Sequence, residues 1–353
     1  MKIALVTDLH FGARGDSIPF DTFFKKFYDE TFFPYLVEHG IKTIFDLGDT
    51  FDRRKYINFN SLRSCKEYFF DKARDLGIDI HMIPGNHDTY FKNTNDVNSP
   101  DLLLKEYSNI SIYEGPTEIT MGKTKILFLP WICTENYNEI MEKVQNTSAT
   151  ICFGHFEFLG YQMYRGTPNP HGMDPGIFSN FQRVISGHFH HRHTRDNITY
   201  MGNPYEITWA DHDDPRGFAI FNCDNQEIEY VDNPNTMFAK LYYDDSEPGS
   251  MAAFNNYPFE HLQSKCVRLI VVKKTNISLF EKFIDNLYQQ NLIELKIIED
   301  LSEFEDTDVG EDVDLEDTMT LLKEYVDGIE LNVDKEKLKN MLQTLYVEAQ
   351  DVA

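Results

Sequence analysis

The sequence predicts an α/β protein whose sheet begins with parallel strands. Short apolar runs at residues 2–7, 43–47 and 79–83 have the length and composition of buried strands. Between the second and third runs, residues 61–76 carry apolar side chains at the spacing of an amphipathic helix. A strand, a helix and a strand in this order form the unit from which parallel sheets are built.

Further elements continue this pattern. An aromatic-rich stretch at residues 23–37 has helical spacing and predicts a helix that faces the core. Additional buried strands are predicted at residues 125–129, 150–153 and 183–185. Three alternating, turn-punctuated stretches follow at residues 198–201, 217–221 and 227–231. We expect these last three to pair antiparallel and to close a second sheet.

Composition limits the class of protein. The 353 residues are enough for about two or three domains of the usual size. Hydrophobic residues make up 41% of the chain, which can fill a sizeable core. No apolar run approaches the ~18 residues of a membrane helix, and the run near the amino terminus is too short for a signal peptide. With five cysteines and no Cys-x-x-Cys pair, we expect a cytoplasmic protein with reduced thiols and no membrane partner.

The net charge of -25 argues against broad contact with nucleic acid, because DNA affinity comes largely from neutralisation of phosphates by Lys and Arg. The last third of the chain is the most acidic part. Any contact with DNA is therefore expected to be local, metal-assisted or shared with a partner. A local basic patch could be formed by Arg14, Arg53, Arg54, Lys55, Lys92, Arg192 and Arg195.

Side chains with metal-binding chemistry follow the ends of five predicted strands. They are Asp8, His10, Asp49, Asn86, His155, His188 and His190. In open α/β sheets, ligands bind outside the carboxyl ends of the strands, so these donors should meet. Seven donors without a thiolate suit two ions of the Mn²⁺ or Fe²⁺ type better than one structural zinc. Each histidine taken alone is more often a core or surface residue, and only the joint pattern favours a metal site.

The order of these motifs resembles that of the calcineurin-like metallophosphoesterases. The motifs are Asp-x-His from Asp8, Gly-Asp-x-x-Asp from Gly48, Gly-Asn-His-Asp from Gly85, Gly-His from Gly154 and Gly-His-x-His from Gly187. The resemblance covers residues 1–235 and implies a catalytic domain with a four-layer α/β/β/α sandwich. It implies one metal ion held by Asp8, His10, Asp49 and His190. It implies a second ion held by Asp49, Asn86, His155 and His188, so that Asp49 bridges the two.

The same resemblance implies roles for His87 and Arg53, and a physical argument gives one to Asp52. His87 would be the general acid that protonates the leaving oxygen. The carboxylate of Asp52, if it lies beside His87, would fix the imidazole tautomer and favour the protonated form. Arg53 would reach a substrate phosphate, although a solvated surface charge is an equal alternative for this residue.

Longer motifs are similar to those of the SbcD-type nuclease component of the SbcCD double-strand-break repair complex. They are Gly48-Asp49-Thr50-Phe51-Asp52, Phe153-Gly154-His155-Phe156-Glu157 and Ser186-Gly187-His188-Phe189-His190. Two later motifs, from Met201 to Pro204 and from Asp214 to Phe218, are most similar to the versions carried by large tailed bacteriophages. This resemblance implies a DNA exonuclease or endonuclease of recombination and repair that uses Mn²⁺, located in the bacterial cytoplasm of the host if the chain is phage-encoded. Asp52 departs from the pattern, because many cellular members carry a histidine there, and this leaves the balance of exonuclease and endonuclease activity open.

The remaining third of the chain divides into three segments. Residues 236–300 contain a predicted strand, helix and strand, and by resemblance form a small α/β capping domain. Residues 301–317 are acidic and predict a solvated linker. Residues 318–353 contain two short amphipathic segments that predict a helical hairpin.

Short helices after a linker are marginal in water unless their apolar faces are packed. By resemblance, residues 318–353 would bind the coiled coil of an SbcC-type ATPase. Docking onto the chain's own domain is the alternative. The resemblance also implies a homodimer formed through helices of the catalytic domain.

Two other functions fit the same catalytic motifs. A phosphatase or phosphodiesterase of small molecules or phosphoproteins would fit the acidic charge, but it has no need of a capping domain and terminal helices. A catalytically inactive scaffold would be expected to have lost ligands, whereas all seven donors and His87 are present.

Overall fold

The computed structural model describes residues 1–299. The predicted acidic linker (301–317) and the predicted helical hairpin (318–353) lie outside the described residues. Within residues 1–299, no helix is long and apolar enough to span a membrane.

The strands of residues 1–299 fall into four sheets. In chain order they are β1 (Lys2–Val6), β2 (Thr43–Asp46), β3 (Asp79–Met82), β4 (Ile110–Ile112), β5 (Thr117–Met121), β6 (Thr124–Leu129), β7 (Ile151–His155), β8 (Gln162–Tyr164), β9 (Thr167–Pro168), β10 (Arg183–Gly187), β11 (His193–Arg195), β12 (Ile198–Tyr200), β13 (Gly217–Asn222), β14 (Ile228–Asp232), β15 (Phe238–Asp244), β16 (Cys266–Lys273) and β17 (Glu294–Ile298).

The helices lie mostly between the strands. In chain order they are α1 (Ala13–Asp16), α2 (Ile18–Phe27), α3 (Phe33–Glu38), α4 (Phe59–Cys65), α5 (Asp71–Asp75), α6 (Ser99–Leu104), α7 (Tyr137–Asn146), α8 (Ser250–Asn255) and α9 (Ile277–Tyr288). π-Helical turns join α2 to α3 and α4 to α5, so the two helices predicted from the sequence each form as one continuous rod. Short 3-10 turns lie at Pro175–Phe178, Trp209–Asp211 and Phe259–Leu262.

Two six-stranded sheets form the centre of the protein. The first has the order β14-β13-β1-β2-β3-β4, and β1 to β4 are parallel. The second has the order β11-β12-β10-β7-β6-β5, and its central strands β10, β7 and β6 are parallel. The predicted parallel start of the sheet is therefore confirmed.

Alternating side chains of each central strand serve two different cores. Leu5 of β1 and Phe153 of β7 pack between the two sheets. Val6 of β1 packs outward against the helices between residues 18 and 75, and Cys152 of β7 packs outward against α7. Helices, sheet, sheet and helix thus lie in four layers, and the predicted α/β/β/α sandwich is confirmed.

The prediction for residues 217–221 and 227–231 was wrong in one respect. These stretches are antiparallel strands, but β13 pairs with β1 and so extends the first sheet instead of closing the second. The strand at 198–201 does join the second sheet, where β12 runs parallel to β10. Alternation of polar and apolar residues indicates a strand, but it carries no information about which edge the strand joins.

A third sheet is formed by β15, β16 and β17, all parallel, with α9 between the last two strands. The predicted strand, helix and strand at residues 265–298 are present. The preceding strand β15 was missed, because several of its side chains are only half-buried and it lacks a continuous apolar run. The third sheet has its own core, which includes Tyr243, Leu269 and Phe283.

Candidate metal centre

The seven predicted donors lie at the carboxyl ends of neighbouring strands. The loops after β1 and β2 are tied together by main-chain hydrogen bonds from Asp8 to Gly48 (2.9 Å) and from His10 to Asp49 (3.0 Å). The loop after β10 approaches so closely that a Cβ at Gly187 would lie 1.9 Å from Oγ1 of Thr7, which explains the glycine.

Several donors have unusual main-chain conformations. The φ angle is positive at Asp8 (54°), His10 (45°), Asp49 (55°) and His188 (89°). Residues other than glycine pay a conformational cost there, and such strain clusters at functional sites. The strand-to-loop turns therefore aim these side chains inward at the expense of local stability.

The first group of donors consists of Asp8, His10 and His190, whose ligand atoms all lie within 4.8 Å of one another. Nε2 of His190 is 3.3 Å from Nε2 of His10. The main-chain N–H of His188 donates to both carboxylate oxygens of Asp8 at 3.1 Å, which fixes the orientation of that carboxylate.

The second group consists of Asp49, His155 and His188, again within 4.8 Å. The predicted amide donor belongs here as well. Oδ1 of Asn86 is 2.9 Å from Nδ1 of His188 and 3.1 Å from Nε2 of His155.

Asp49 lies between the two groups. Its Oδ2 atom is 3.2 Å from Nε2 of His155 and 4.0 Å from Nε2 of His10. Its other oxygen accepts a hydrogen bond from the main-chain N–H of His87 at 2.8 Å. One carboxylate thus faces both groups.

Cations fit this arrangement. Nδ1 of His155 lies 2.8 Å from the carbonyl oxygen of Leu47, so Nδ1 carries the hydrogen and the lone pair of Nε2 points at Asp49 and Asn86. Lone pairs that face one another repel unless a proton or a metal ion lies between them. A carbonyl that holds the second nitrogen of an imidazole is also the usual companion of a metal-ligating histidine.

The electrostatics of the two groups are alike. Burial alone would lower the pKa of His10, but the neighbouring carboxylates of Asp52 and Asp49 outweigh it and raise the pKa to about 9. Burial would likewise lower the pKa of His155, but Asp49 raises it to about 9. Each group therefore attracts positive charge, which a divalent ion supplies.

The other imidazole of each group, His190 in the first and His188 in the second, has a lowered pKa. Burial, together with the charge of His155, lowers the pKa of His188 well below its usual value. Burial also lowers the pKa of His190. Burial would raise the pKa of Asp49, but the charges of His155 and His87 hold it well below its usual range. The second group thus offers an ionised carboxylate and a neutral imidazole, the forms that bind metal.

His87 is half-buried beside the first group, and its ring meets that of His10 edge-on at 4.9 Å between centroids. The predicted contact with the Asp52 carboxylate was wrong. Nδ1 of His87 donates instead to the main-chain carbonyl of Asp52, at 2.6 Å. The Asp52 carboxylate turns away and lies 3.4 Å from Nδ1 of His10.

Arg53 is held in place by neighbouring side chains. Its Nη1 atom donates to Asp16 (3.1 Å) and to the hydroxyl of Tyr56 (2.8 Å). Its contact with a substrate phosphate stays a prediction. The predicted basic patch gains no support, since Arg192 pairs with Asp232 at 2.7 Å and Arg195 lies over the ring of Tyr161.

Three residues behind His190 were not predicted as part of the site. Nδ2 of Asn203 is 3.4 Å and Oδ1 of Asp211 is 3.9 Å from Nδ1 of His190. The guanidinium of Arg216 donates to the carbonyl of His190 and lies 3.3 Å from Asp211. The bacteriophage-like motifs that contain Asn203 and Arg216 were the signal that could have placed them here.

Asp88 is a buried residue that joins two of the loops carrying predicted ligands. Its carboxylate accepts from the main-chain N–H groups of Thr50 (3.2 Å), Phe51 (3.0 Å) and Gly85 (2.9 Å). These bonds join the loops that carry Asp49 and Asn86. Asp88 therefore fixes the distance between two predicted ligands.

A comparison with protein families decides the class. Residues 1–192 match the family model described as calcineurin-like phosphoesterase. The chain belongs to the calcineurin-like phosphoesterase family. It is therefore a metal-dependent phosphoesterase, and the two donor groups are its candidate sites for the divalent ions that this family uses.

The chain is also similar to individual proteins. The chain is 30% identical over 357 residues to "Exonuclease subunit 1" of Enterobacteria phage T4, covering 99% of each chain. It is 22% identical over 215 residues to a protein of Staphylococcus saprophyticus named as a subunit of the nuclease SbcCD, covering 51% of this chain and 55% of that protein. A solved dimetal phosphatase from Danio rerio superposes with a TM-score of 0.40 at 11% identity, covering 62% of this chain and 91% of that one.

Proposed function

We propose that this chain is the DNA-hydrolysing component of an SbcCD-like recombination and repair complex. The observation that carries the proposal is the 30% identity to a phage protein named as an exonuclease subunit, because it covers 99% of both chains. A match of that extent includes the third sheet and the last residues as well as the metal centre. A second relative is named as a nuclease subunit of SbcCD.

The two donor groups hold the metal ions in this proposal. One ion is held by Asp8, His10, Asp49 and His190. The other is held by Asp49, Asn86, His155 and His188. Two divalent ions bound by these residues would lower the pKa of a water and neutralise charge on a phosphate. The oxygen, imidazole and amide ligands suit Mn²⁺.

His87 supplies the proton that the leaving oxygen needs. Its Nδ1–H is fixed on the carbonyl of Asp52, so Nε2 is the nitrogen that gives a proton and later regains one. The main-chain bond from His87 to Asp49 keeps the ring close to the bridging carboxylate. A general acid held in this way typically contributes about 10²–10⁴-fold to the rate.

The partner in this proposal is an SbcC-type coiled-coil ATPase, bound by residues 318–353 through their apolar stripe as a helix in a groove. Both relatives are named as subunits, which supports an assembly of more than one protein. A partner also reconciles DNA as substrate with a net charge of -25, since the partner can supply the phosphate contacts. We further propose that the chain acts as a homodimer in the bacterial cytoplasm.

The test compares two substrates in the presence of Mn²⁺, with a chelator control. The purified chain is incubated with end-labelled duplex DNA and, separately, with a small phosphomonoester. We expect metal-dependent DNA hydrolysis with little monoester turnover. Rapid monoester turnover beside intact DNA would instead make the chain a phosphatase.

A further inference from the structure

Residues 203–216 form a segment that contacts both the metal centre and the third sheet. This 203–216 segment follows β12 and leads into β13. At its start, Nδ2 of Asn203 lies 3.4 Å from Nδ1 of His190. The hydroxyl of Tyr205 donates to the carbonyl of Leu9, between Asp8 and His10, at 2.6 Å. The segment therefore supports the first donor group from two directions.

The same segment also fixes the start of the third sheet. Oε2 of Glu206 accepts hydrogen bonds from the main-chain N–H groups of Met237 (2.6 Å) and Phe238 (2.9 Å), where β15 begins. The ring of Trp209 packs on Phe238 with centroids 4.6 Å apart. The guanidinium of Arg268, a buried residue of β16, lies over the Trp209 ring at 4.1 Å.

Trp209 and Asp211 lie on one short helical turn, and they point to different parts of the protein. Trp209 contacts the third sheet, as described. Oδ2 of Asp211 accepts from the main-chain N–H groups of Ile207 (2.8 Å) and Thr208 (2.9 Å), which closes the turn. Its Oδ1 lies 3.9 Å from Nδ1 of His190 and 3.3 Å from Nη2 of Arg216, so it lies between the imidazole and the guanidinium. Moving the indole would therefore move the carboxylate.

We propose that Asp211 is a positioning residue for His190, and that the third sheet, through Trp209, holds Asp211 in place. Packing of the third sheet against Trp209 then sets the Mn²⁺ affinity of the first donor group, which contains His190. Asp211 belongs to neither of the two donor groups. It acts by presenting a carboxylate to the nitrogen of His190 that faces away from His10.

The geometry explains why the effect should be confined to one ion. The 203–216 segment touches His190 and the loop of Asp8 and His10. The second group is held by other contacts, namely those of Leu47 with His155 and of Asn86 with His188. A change in the segment should therefore weaken the first group and spare the second.

The experiment measures Mn²⁺ binding to the metal-free full chain by isothermal titration. His190→Ala identifies which of the two binding steps belongs to the first group. Asp211→Asn, which keeps the shape of the side chain, should weaken that same step by about 10–100-fold, the usual effect of losing a partner of a metal-ligating histidine. The other step should stay within about threefold of the original chain.

Variants at the third sheet test the coupling itself. Arg268→Met should weaken the same step as Asp211→Asn, and Arg268→Lys should restore part of the affinity because it keeps the charge over Trp209. The matched control is Lys274→Met, which removes a cation 4.6 Å from the Phe280 ring within the third-sheet region. We expect both Mn²⁺ steps to be unchanged in this control.

Circular dichroism of each metal-free variant identifies those that are folded. If folded Asp211→Asn binds both ions as the original chain does, Asp211 does not position His190. If Asp211→Asn weakens Mn²⁺ binding to the first donor group but folded Arg268→Met does not, the third sheet does not hold Asp211 in place. Because the readout is metal binding, neither result depends on DNA being the substrate.

Discussion

His87 meets Asp52 through the main chain of Asp52, whose carbonyl oxygen accepts a hydrogen bond from Nδ1 of His87 over 2.6 Å. A carbonyl oxygen cannot donate, so the hydrogen lies on Nδ1 and Nε2 is left for proton transfer. The Asp52 carboxylate is thereby free to pair with His10 at 3.4 Å. Asp52 thus orients the proposed acid His87 with its main chain and the predicted ligand His10 with its side chain.

This division of roles predicts a specific effect of Asp52→Asn. The main-chain bond to His87 remains, so kcat on DNA at saturating Mn²⁺ should change by less than about threefold. The Mn²⁺ concentration for half-maximal activity should rise by about 10-fold, because a partner of a metal ligand is lost. A titration with Mn²⁺ at a fixed DNA concentration measures kcat and the half-maximal Mn²⁺ concentration separately. A large fall in kcat with unchanged metal dependence would show that the carboxylate acts on His87 instead.

Replacement of Asp49 should affect both metal ions. Its Oδ2 faces His155 and His10, so it is the carboxylate shared by the two groups. We expect Asp49→Asn to bind fewer than two Mn²⁺ ions per chain at concentrations that saturate the original protein. Metal analysis after equilibrium dialysis measures this. Two tightly bound ions in Asp49→Asn would rule out a bridging role.

Glu206 predicts a pH dependence of stability. Burial raises the pKa of this carboxyl from 4.5 to about 7. Because the folded pKa is the higher one, the contribution is fully present below pH ~4.5 and is lost as the pH rises to about 7. At about 1.4 kcal/mol for each pKa unit, the loss is at most about 3.5 kcal/mol.

The matched variant is Glu206→Gln, which keeps an acceptor for Met237 and Phe238 but does not titrate. In metal-free protein, the free energy of unfolding in urea should fall between pH 4.5 and 7 by more in the original chain than in Glu206→Gln. Parallel curves for the two proteins would show that the carboxyl does not change its protonation there.

Residues 318–353 are predicted to bind the ATPase partner. Leu342 is an apolar residue of the second predicted amphipathic segment. Leu342→Asp should abolish co-purification of the ATPase, because it places a charge in the apolar groove that is proposed to bind this segment. Gln343→Asp, which replaces a residue that is already polar, should leave it intact. Metal-dependent DNA hydrolysis by the isolated chain should persist in both. Equal partner binding by the two variants would remove this segment from the interface.

The ends of strands were predictable from the sequence, and so were the donors that follow them. An apolar run that stops at Asp8 or Asp49 indicates both a buried strand and a polar group at its end. The grouping into Asp8, His10 and His190 on one side required the resemblance, because these residues meet only when the two sheets stack.

Other parts of the site depended on details that no sequence pattern carries. Whether Asp52 presents its carbonyl or its carboxylate to His87 is decided by the path of the main chain. Asp211 lies outside every motif singled out in the sequence, yet it is buried with Arg216 behind His190. Their burial is stabilised by each other's charge, which only the folded arrangement reveals.

The most direct test of the two-metal nuclease is His87→Asn, studied for metal content and DNA cleavage in the same preparation. His87 donates to Asp49 only through its main chain, so the variant should bind two Mn²⁺ ions as the original chain does. Its rate of hydrolysis of end-labelled duplex DNA should fall by about 10²–10⁴-fold, because the leaving oxygen loses its acid. Cleavage at the original rate with both ions bound would contradict the account of His87 and require another proton donor.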